Sequence, residues 1–257
     1  MMQEPFILAV ETSSRIGSVA IAFGEKLVSE IRFSGPLKHS MEIFPAVRGL
    51  LDPTGRTPGQ IEQVYISQGP GSFTGLRIAA TLAKTMHLAE AANIVAVDTL
   101  DIIAANVVRL SPGITRPVGW SQALPADCNR IATVLDAKRG QFFIAVYERA
   151  RQGRRSRGAE DDFWKKVVPD SLVTISEFLD RFACPANPIG LLGDGLVYYQ
   201  DRFEADGVFF LDKQHWSPQA NKVHRLGWQK ALDGQFADPL TLTPHYLRKP
   251  DVTSESR

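Results

Sequence analysis

The first third of the chain opens with three closely spaced β-type segments. Residues 6–10 form a continuous apolar run, which is typical of a buried strand. Residues 17–23 are rich in β-prone side chains, and residues 27–33 alternate between apolar and polar positions. Short polar turns separate the three segments. The pattern therefore predicts a three-strand meander, with its first strand buried and its third strand wet on one face.

Helical and strand patterns alternate after the meander. Residues 39–51 carry Met41, Phe44, Val47 and Leu51 at helical spacing, and Pro45 inside that stretch predicts either a kink or a later start near residue 42. The pattern then predicts a strand over 63–67, a long helix over 73–92, a strand over 94–97 and a helix over 98–108. A meander followed by β-α-β units indicates a mixed sheet with helices packed on it.

The second half repeats this order of elements. Strands are predicted over 131–135, 141–147 and 167–173, then a helix over 176–182 capped by Ser176, a strand over 189–192, and helices over 196–203 and 217–232. Both halves begin with a hairpin and continue with helix and strand. We therefore expect an α/β protein of two lobes, residues 1–110 and 111–257, each with a mixed sheet and flanking helices. Segments near 111–130 and 149–166 are predicted insertions, the first rich in Pro and Gly.

Charge and cysteine content narrow the functional classes. The 257 residues carry a formal net charge of +1, which is too small for a protein that grips nucleic acid alone. Cys128 and Cys184 have neither redox nor zinc spacing. The N-terminus resembles no secretory signal, and no apolar run is long enough to span a bilayer. The expectation is a cytoplasmic protein whose contact with any RNA is local or shared with a partner.

An arginine-rich segment is a candidate exception. Five arginines fall within 149–157, and an acidic block follows at 160–162. A solvated loop is the ordinary interpretation of such a segment, and a tRNA or protein contact is the alternative. The acidic block beside the arginines weakens the case for nucleic acid.

The most distinctive motif is Gly69-Pro70-Gly71-Ser72-Phe73-Thr74-Gly75-Leu76-Arg77, between a predicted strand and the long helix. Its glycines permit a sharp turn and a close approach, Ser72 or Thr74 can cap the helix, and the free N–H groups of the helix would face an anion. A dinucleotide fingerprint with Asp98 at the ribose is an alternative, but three strands and a helix precede the motif. The other alternative is a turn that only orients a packed helix.

The long helix and the histidines give two further expectations. The helix over 73–92 is apolar nearly all round, so its second side needs a cover, which is either another internal layer or another chain. The five histidines include no His-x-x-x-His pair and no clustered carboxylates, so no metal site is predicted.

Several motifs together resemble one family. The segments 7–13, 39–45 and 68–77, the Asp136-Ala137-Lys138-Arg139-Gly140 turn and the Gly193-Asp194-Gly195 turn are similar to those of the TsaB (YeaZ-type) family. These proteins are the non-catalytic relatives of TsaD in the actin-like superfamily, which also contains glycoprotease-type members. The resemblance is dense over 6–108 and sparse beyond. It implies the actin-like, ribonuclease H-like fold of two lobes.

Departures from the catalytic relatives bear on activity. TsaD places a metal-binding histidine pair after the strand that follows the long helix, and this chain has residues 98–102 there without histidine. Actin-like ATPases carry a glycine in the turn after the first strand, and this chain has Glu11-Thr12-Ser13-Ser14. The resemblance thus implies a subunit with no catalytic residues, no metal and no cofactor. The rival interpretations are a metal-dependent glycoprotease-like hydrolase, an actin-like ATPase and a dinucleotide-binding oxidoreductase.

The resemblance also implies partners: a TsaD-type catalytic subunit, a TsaE-type ATPase, and tRNA reached only through the complex. Helices 39–51 and 73–92 are the expected contact surface, which would bury itself in a homodimer when the chain is alone. The candidate partner-binding residues are His39, Phe44, Val47, Leu51, Leu76, Arg77, Ala80, Ala83, Lys84 and His87. A vestigial nucleotide- or anion-binding set comprises Glu11, Thr12, Ser13, Gly69, Gly71, Ser72, Asp136, Gly193 and Gly195.

Overall fold

Ten strands form two five-stranded sheets within residues 4–107, 128–149 and 164–247, which the computed structural model describes. The first sheet contains β1 (Phe6–Glu11), β2 (Ser18–Phe23), β3 (Lys26–Arg32), β4 (Gln63–Gly69) and β5 (Asn93–Asp98). The second contains β6 (Arg130–Asp136), β7 (Gln141–Arg149), β8 (Trp164–Thr174), β9 (Ile189–Leu192) and β10 (Val208–Phe210).

The two sheets share one topology. Their orders are β3-β2-β1-β4-β5 and β10-β9-β6-β7-β8, which are the same order when each sheet is numbered from its own first strand. In each sheet the first three strands are antiparallel and the last two join in parallel. This duplicated mixed sheet is the actin-like, ribonuclease H-like arrangement, so the predicted fold class is confirmed.

Five α-helices cover these sheets in the described part of the chain: α1 (His39–Leu51), α2 (Phe73–Glu90), α3 (Thr99–Ala104), α4 (Ile175–Phe182) and α5 (Ala220–Leu232). Helices α1 and α2 share one apolar core with one face of the first sheet, and α5 packs on the other face. With helices on both faces, every residue of β1 is buried, which explains its continuous apolar run. The second sheet has its own core with α4.

Helix α5 returns from the second half of the chain to the first sheet. The Ala220 N–H donates to Ser18 Oγ over 2.8 Å, and His224 Nε2 lies 2.8 Å from the Gly24 carbonyl oxygen. A Cβ on Gly227 would lie 2.5 Å from the Tyr65 ring, so the glycine permits a close approach of helix and sheet. The sequence pattern found this helix but not the sheet on which it packs. The predicted division at residue 110 lies outside the described residues and stays a prediction.

The structure corrects several predicted elements. Helix α4 is capped by Thr174 rather than Ser176, because Thr174 and Glu177 form a reciprocal capping box. The predicted helix over 196–203 is instead two short 3-10 helices, Asp194–Val197 and Gln200–Phe203. Strand β10 was not predicted at all. Strand β8 runs through Pro169, which an edge strand tolerates.

Other bounds differ by a few residues. Helix α1 begins at His39 with Pro45 inside it, so the later start is wrong. Helix α3 ends at Ala104 rather than near 108, and α5 begins at Ala220 rather than 217. Most of the predicted insertions and of the arginine-rich segment lies outside the described residues. No helix in the described part of the chain is long and apolar enough to cross a membrane.

Candidate functional site: the cleft between the lobes and the α1–α2 face

The turn that follows β1 packs directly on the first turn of α2. The Ser72 N–H donates to the Ser13 carbonyl oxygen over 2.7 Å, and Thr12 Oγ1 donates to the Gly75 carbonyl oxygen over 2.8 Å. Ser72 also caps α2, because its Oγ accepts from the Gly75 N–H at 3.3 Å. The glycine motif therefore joins β1 to α2 through backbone and hydroxyl groups.

The glycines of the motif are approached by the protein's own backbone. A Cβ on Gly71 would overlap the Ser13 carbonyl oxygen, and a Cβ on Gly75 would overlap that of Thr12. Gly69 has a φ of +123°, and a Cβ there would lie 2.6 Å from the His245 carbonyl oxygen. These three positions need glycine for close packing, which the structure shows. Their role in anion binding stays a prediction.

The second lobe presents a matching pair of turns. Asp136 Oδ1 accepts from the Lys138 N–H over 2.7 Å, and its Oδ2 lies 2.7 Å from Lys138 Nζ. Gly193 has a φ of +131° and lies against the Val134 carbonyl oxygen. A Cβ on Gly195 would lie 2.8 Å from the Asp136 backbone nitrogen. Here too the glycines permit close packing of backbone on backbone.

A cleft of about 400 Å³ lies between these turns. Of the residues predicted for nucleotide or anion binding, Ser13, Gly71, Ser72 and Asp136 line it. The other five are not among the residues that line it, namely Glu11, Thr12, Gly69, Gly193 and Gly195. The structure thus brings the predicted set together but exposes less than half of it to the cleft.

One contact across the cleft joins the lobes. The Arg15 N–H donates to Asp194 Oδ2 at 3.4 Å, and the Arg15 guanidinium lies 4.9 Å from the centre of the Tyr198 ring. Burial raises the pKa of Asp194 to about 6, against the opposing effect of the Arg15 hydrogen bond. Sequence reasoning missed Arg15 and Tyr198, because nothing in their spacing marks them.

Glu11 is a buried carboxyl behind the cleft. Its Oε1 accepts from both the N–H and the hydroxyl of Ser13, each at 2.6 Å. Its Oε2 has no hydrogen-bond partner among the described residues. Burial raises the pKa of Glu11 from 4.5 to about 7, although hydrogen bonds from Ser13 and Ser67 oppose the shift.

We expect Glu11→Gln to flatten the pH dependence of stability. The folded-state pKa of Glu11 lies above its unfolded value, so wild-type stability falls as pH rises from 4.5 to about 7 and the loss is complete above that range. An amide does not titrate. Urea unfolding at pH 5 and pH 8 should therefore show a smaller difference in the free energy of unfolding, by about 2 kcal/mol. An unchanged difference would mean that Glu11 is already ionised at pH 5.

The outward sides of α1 and α2 together form a surface that we call the α1–α2 face. It contains only part of the predicted partner-binding set. Phe44 is 66% exposed, Arg77 is exposed, and Lys84 and His87 are half-buried. The remaining six are buried inside the lobe, which corrects the prediction of them as contact residues: His39, Val47, Leu51, Leu76, Ala80 and Ala83. Their apolar spacing marked the faces of the helices that pack on the sheet.

Met41 belongs to the exposed face and was not among the predicted contacts. It is 74% exposed and lies three residues before Phe44 on the outer side of α1. Leu37 is exposed just before the helix, and Phe73 at the start of α2. The outer stripe of α2 carries Thr81 and Leu88 in solvent, whereas its start is covered by Tyr246, whose ring centroid lies 5.2 Å from that of Phe73 and whose hydroxyl accepts from Arg77 Nε at 3.4 Å.

A charged cluster joins the lobes beside α3 and was also missed. Lys166 Nζ lies 2.7 Å from Asp101 Oδ1 and from Asp170 Oδ1, and 3.8 Å from Asp98 Oδ2. The Tyr147 hydroxyl donates to Asp101 Oδ1 over 2.7 Å. Asp98 and Asp101 occupy the stretch where the resemblance places the histidine pair of TsaD. In this chain an ammonium group sits among the carboxylates.

Metal ligands do not converge in the described ranges. No group of three or more His, Cys, Asp or Glu side chains among residues 4–107, 128–149 and 164–247 is arranged to hold a metal ion. His39 and His224 are instead buried and bond to backbone carbonyl oxygens.

Comparisons with known proteins agree with this architecture. Over 246 residues the chain is 28% identical to the tRNA threonylcarbamoyladenosine biosynthesis protein TsaB of Bacillus subtilis, covering 94% of this chain and 93% of that protein. It is 24% identical to the TsaB protein of Escherichia coli over 242 residues, with 94% of each covered. The structure of YeaZ from Pseudomonas aeruginosa matches with a TM-score of 0.71 and 23% identity, over 95% of this chain and 100% of that one.

A family model gives the assignment. The model described as TsaD, tRNA N6-adenosine threonylcarbamoyltransferase, matches residues 36–167, which is more than half of the 257 residues. The matched range begins just before α1 and ends within β8, so it includes the α1–α2 face and the Lys166 cluster except Asp170. The chain therefore belongs to the TsaD family of tRNA N6-adenosine threonylcarbamoyltransferase proteins, and its relatives across nearly its full length are proteins named TsaB.

Proposed function

We propose that this protein is a non-catalytic subunit required for threonylcarbamoyl transfer to the adenosine next to the anticodon of tRNA. It binds a TsaD-type catalytic subunit and holds it in an active state, together with a TsaE-type ATPase. Transfer RNA meets the chain only through that complex, in the cytoplasm. The proposed pathway is based on the names of the relatives. The proposed role as a binding subunit is based on the exposed apolar residues of the α1–α2 face.

The observation that carries this proposal is the exposure of large apolar side chains on α1. Met41 and Phe44 are 74% and 66% exposed. Their neighbours Ala46 and Val47 are buried on the sheet side of the same helix. Contiguous exposed apolar groups on a rigid helix are typical of a protein–protein contact. Arg77 on α2 adds a cation, held 3.8 Å from the centre of the Phe73 ring.

The cleft supports a non-catalytic role. The space beside Gly71 and Gly75, through which a phosphate would approach the backbone, is filled by the carbonyl oxygens of Ser13 and Thr12. Outside the cleft, the carboxylates of Asp98 and Asp101 lie around the ammonium of Lys166, which takes the position that a metal cation would need. No observation on the described residues favours the hydrolase, the ATPase or the oxidoreductase.

Reconstitution tests the proposal. Threonylcarbamoyl transfer to tRNA is measured with a TsaD-type subunit, a TsaE-type ATPase and the adenylate-forming enzyme, with and without this chain. We expect modification only when the chain is present and no nucleotide hydrolysis by the chain alone. Equal modification without the chain would overturn the proposed role.

Substitution of Phe44 tests the binding face. Phe44→Ser should weaken binding of the catalytic subunit about 30-fold, because a buried aromatic anchor contributes about 2 kcal/mol. Isothermal titration calorimetry measures the affinity of each variant for the catalytic subunit. Leu232→Ser is the matched control, since Leu232 is 62% exposed but lies on α5, which packs on the opposite face of the first sheet. Both variants should retain wild-type thermal stability. Equal affinities for the two variants would place the contact elsewhere.

The same face accounts for the expected homodimer. A second copy of this chain can cover Met41 and Phe44 when the catalytic subunit is absent. Sedimentation velocity across a concentration series should show a dimer for the wild type and a shift towards monomer for Phe44→Ser. A wild type that stays monomeric at high concentration would remove the homodimer from the proposal.

A further inference from the structure

The turn that follows β1 contacts the start of α1 as well as the cleft. Three hydrogen bonds tie residues 14–17 to the segment leading into α1: Leu37 N–H to the Arg15 oxygen at 3.0 Å, Phe33 N–H to the Gly17 oxygen at 2.9 Å, and His39 Nε2 to the Ser14 oxygen at 2.9 Å. Ser14 and Arg15 also line the cleft. The turn is thus shared by the cleft and the α1–α2 face.

Of these three hydrogen bonds, only the one from His39 is made by a side chain. It is the first residue of α1 and is 3% exposed. Because the Ser14 carbonyl can only accept, Nε2 must carry the hydrogen. Nδ1 has no hydrogen-bond partner in the described structure, and a Cβ on Gly17 would lie 2.7 Å from it. The neutral ring therefore fits tightly between the turn and Phe33, whose ring centroid lies 5.8 Å away.

The other end of the turn bonds to the second lobe. The Arg15 N–H donates to Asp194 Oδ2 at 3.4 Å, immediately after the residue that His39 holds. A change in the spacing of the lobes would move Arg15 and, through one peptide, the Ser14 carbonyl. His39 would pass that displacement to the first turn of α1, which carries Met41 and Phe44.

We propose that His39 is a positioning residue that couples the separation of the two lobes to the partner-binding surface of α1. Through its bond to Ser14 it sets the position of the first turn of α1 according to whether Arg15 and Asp194 are joined. The coupling rests on the proposed function for its biological meaning, but the mechanical link is a property of the chain alone. By reciprocity, a partner on α1 also favours the joined lobes.

Two substitutions separate the hydrogen bond from the packing of the ring. The amide nitrogen of Gln reaches the position of Nε2, whereas that of Asn is one carbon short. His39→Gln and His39→Asn both remove the contact with Phe33, and His39→Asn also leaves the Ser14 carbonyl oxygen without its donor, so the affinities are compared at a temperature at which circular dichroism shows both variants folded. We expect His39→Asn to weaken binding of the TsaD-type subunit about tenfold and His39→Gln to stay within about threefold of the wild type. Equal affinities of the two variants would overturn the proposal.

A second arm needs no partner. Asp194→Ala removes the acceptor for Arg15, and hydrogen–deuterium exchange then reports on the first turn of α1. We expect exchange there to rise about tenfold in the His39 background and to change less than twofold in the His39→Asn background. Equal increases in both backgrounds would show that His39 transmits nothing. If the wild type binds no catalytic subunit while this exchange pattern appears, the proposed function fails and the coupling stands.

Discussion

Gly75→Ala is expected to destabilise the protein by about 3 kcal/mol, even though alanine favours helices. Gly75 lies in the first turn of α2, where an added Cβ would overlap the Thr12 carbonyl oxygen. To relieve that overlap, α2 must move away from the end of β1. The movement breaks the 2.8 Å bond from Thr12 Oγ1 to the Gly75 carbonyl oxygen and lengthens the bond between Ser72 and Ser13. Chemical denaturation followed by circular dichroism measures the loss.

Gly49→Ala is the matched control for this prediction. Gly49 is also inside a helix, but it is exposed and a Cβ there would lie 3.4 Å from Ile31 Cδ1, which is ordinary contact. Only the helix preference then changes, so we expect this variant to be more stable than the wild type by about 0.5 to 1 kcal/mol. Opposite signs at the two glycines would confirm that backbone packing makes glycine necessary at residue 75. A stabilised Gly75→Ala would contradict the structure at this turn.

The same turn shows what the sequence could predict. The strand, the glycine turn and the Ser72 cap of α2 follow from local patterns, because each depends on residues close in the chain. The sequence could not reveal which atoms face Gly71 and Gly75. These atoms are the carbonyl oxygens of Ser13 and Thr12, about sixty residues earlier in the chain. Because every residue has a backbone carbonyl, the pattern of side chains does not indicate which one lies there.

Helix α1 illustrates a second limit. Its apolar positions predicted the helix correctly, but they mark burial inside the lobe as strongly as contact with a partner. Val47 and Leu51 proved to be core residues, whereas Phe44, with the same apolar character, is exposed. The helical spacing of apolar residues does not by itself show which of two apolar stripes packs on the sheet, because that depends on the direction in which the helix crosses the sheet.

Contacts between distant segments were beyond reach for a related reason. Helix α5 was predicted, but its place on the first sheet depends on Ser18 and Gly24, about two hundred residues away. The Lys166 cluster likewise joins β8 to the end of β5 and to α3. In the sequence its lysine and its aspartates are ordinary surface-type residues, and only the fold shows that they are half-buried together.

Lys166→Met is expected to lower the free energy of unfolding by about 3 kcal/mol at pH 7. The methionine has similar length but no charge, so the carboxylates of Asp98, Asp101 and Asp170 would face one another without a cation. Burial lowers the pKa of the Lys166 ammonium, but Asp101 and Asp170 outweigh that effect and raise it, so the wild-type lysine stays charged. The Asp170 side chain is only 7% exposed, and its Oδ2 has no hydrogen-bond partner in the described structure. Water therefore solvates the negative charge of Asp170 poorly.

The loss should depend on pH, which distinguishes charge from packing. In the wild type Lys166 lowers the pKa of Asp170 against the effect of burial, so without the ammonium the folded-state pKa of Asp170 rises further above its unfolded value of about 4. The cost is therefore present above that value and disappears as pH falls to it. Lys165→Met, at the exposed neighbouring position, should change stability by less than about 0.5 kcal/mol at any pH. If the loss in Lys166→Met is the same at pH 4 and pH 7, the lysine acts through its packing. If it vanishes at pH 4, the charge of the ammonium, and not the length of the side chain, stabilises the contact between β8 and α3.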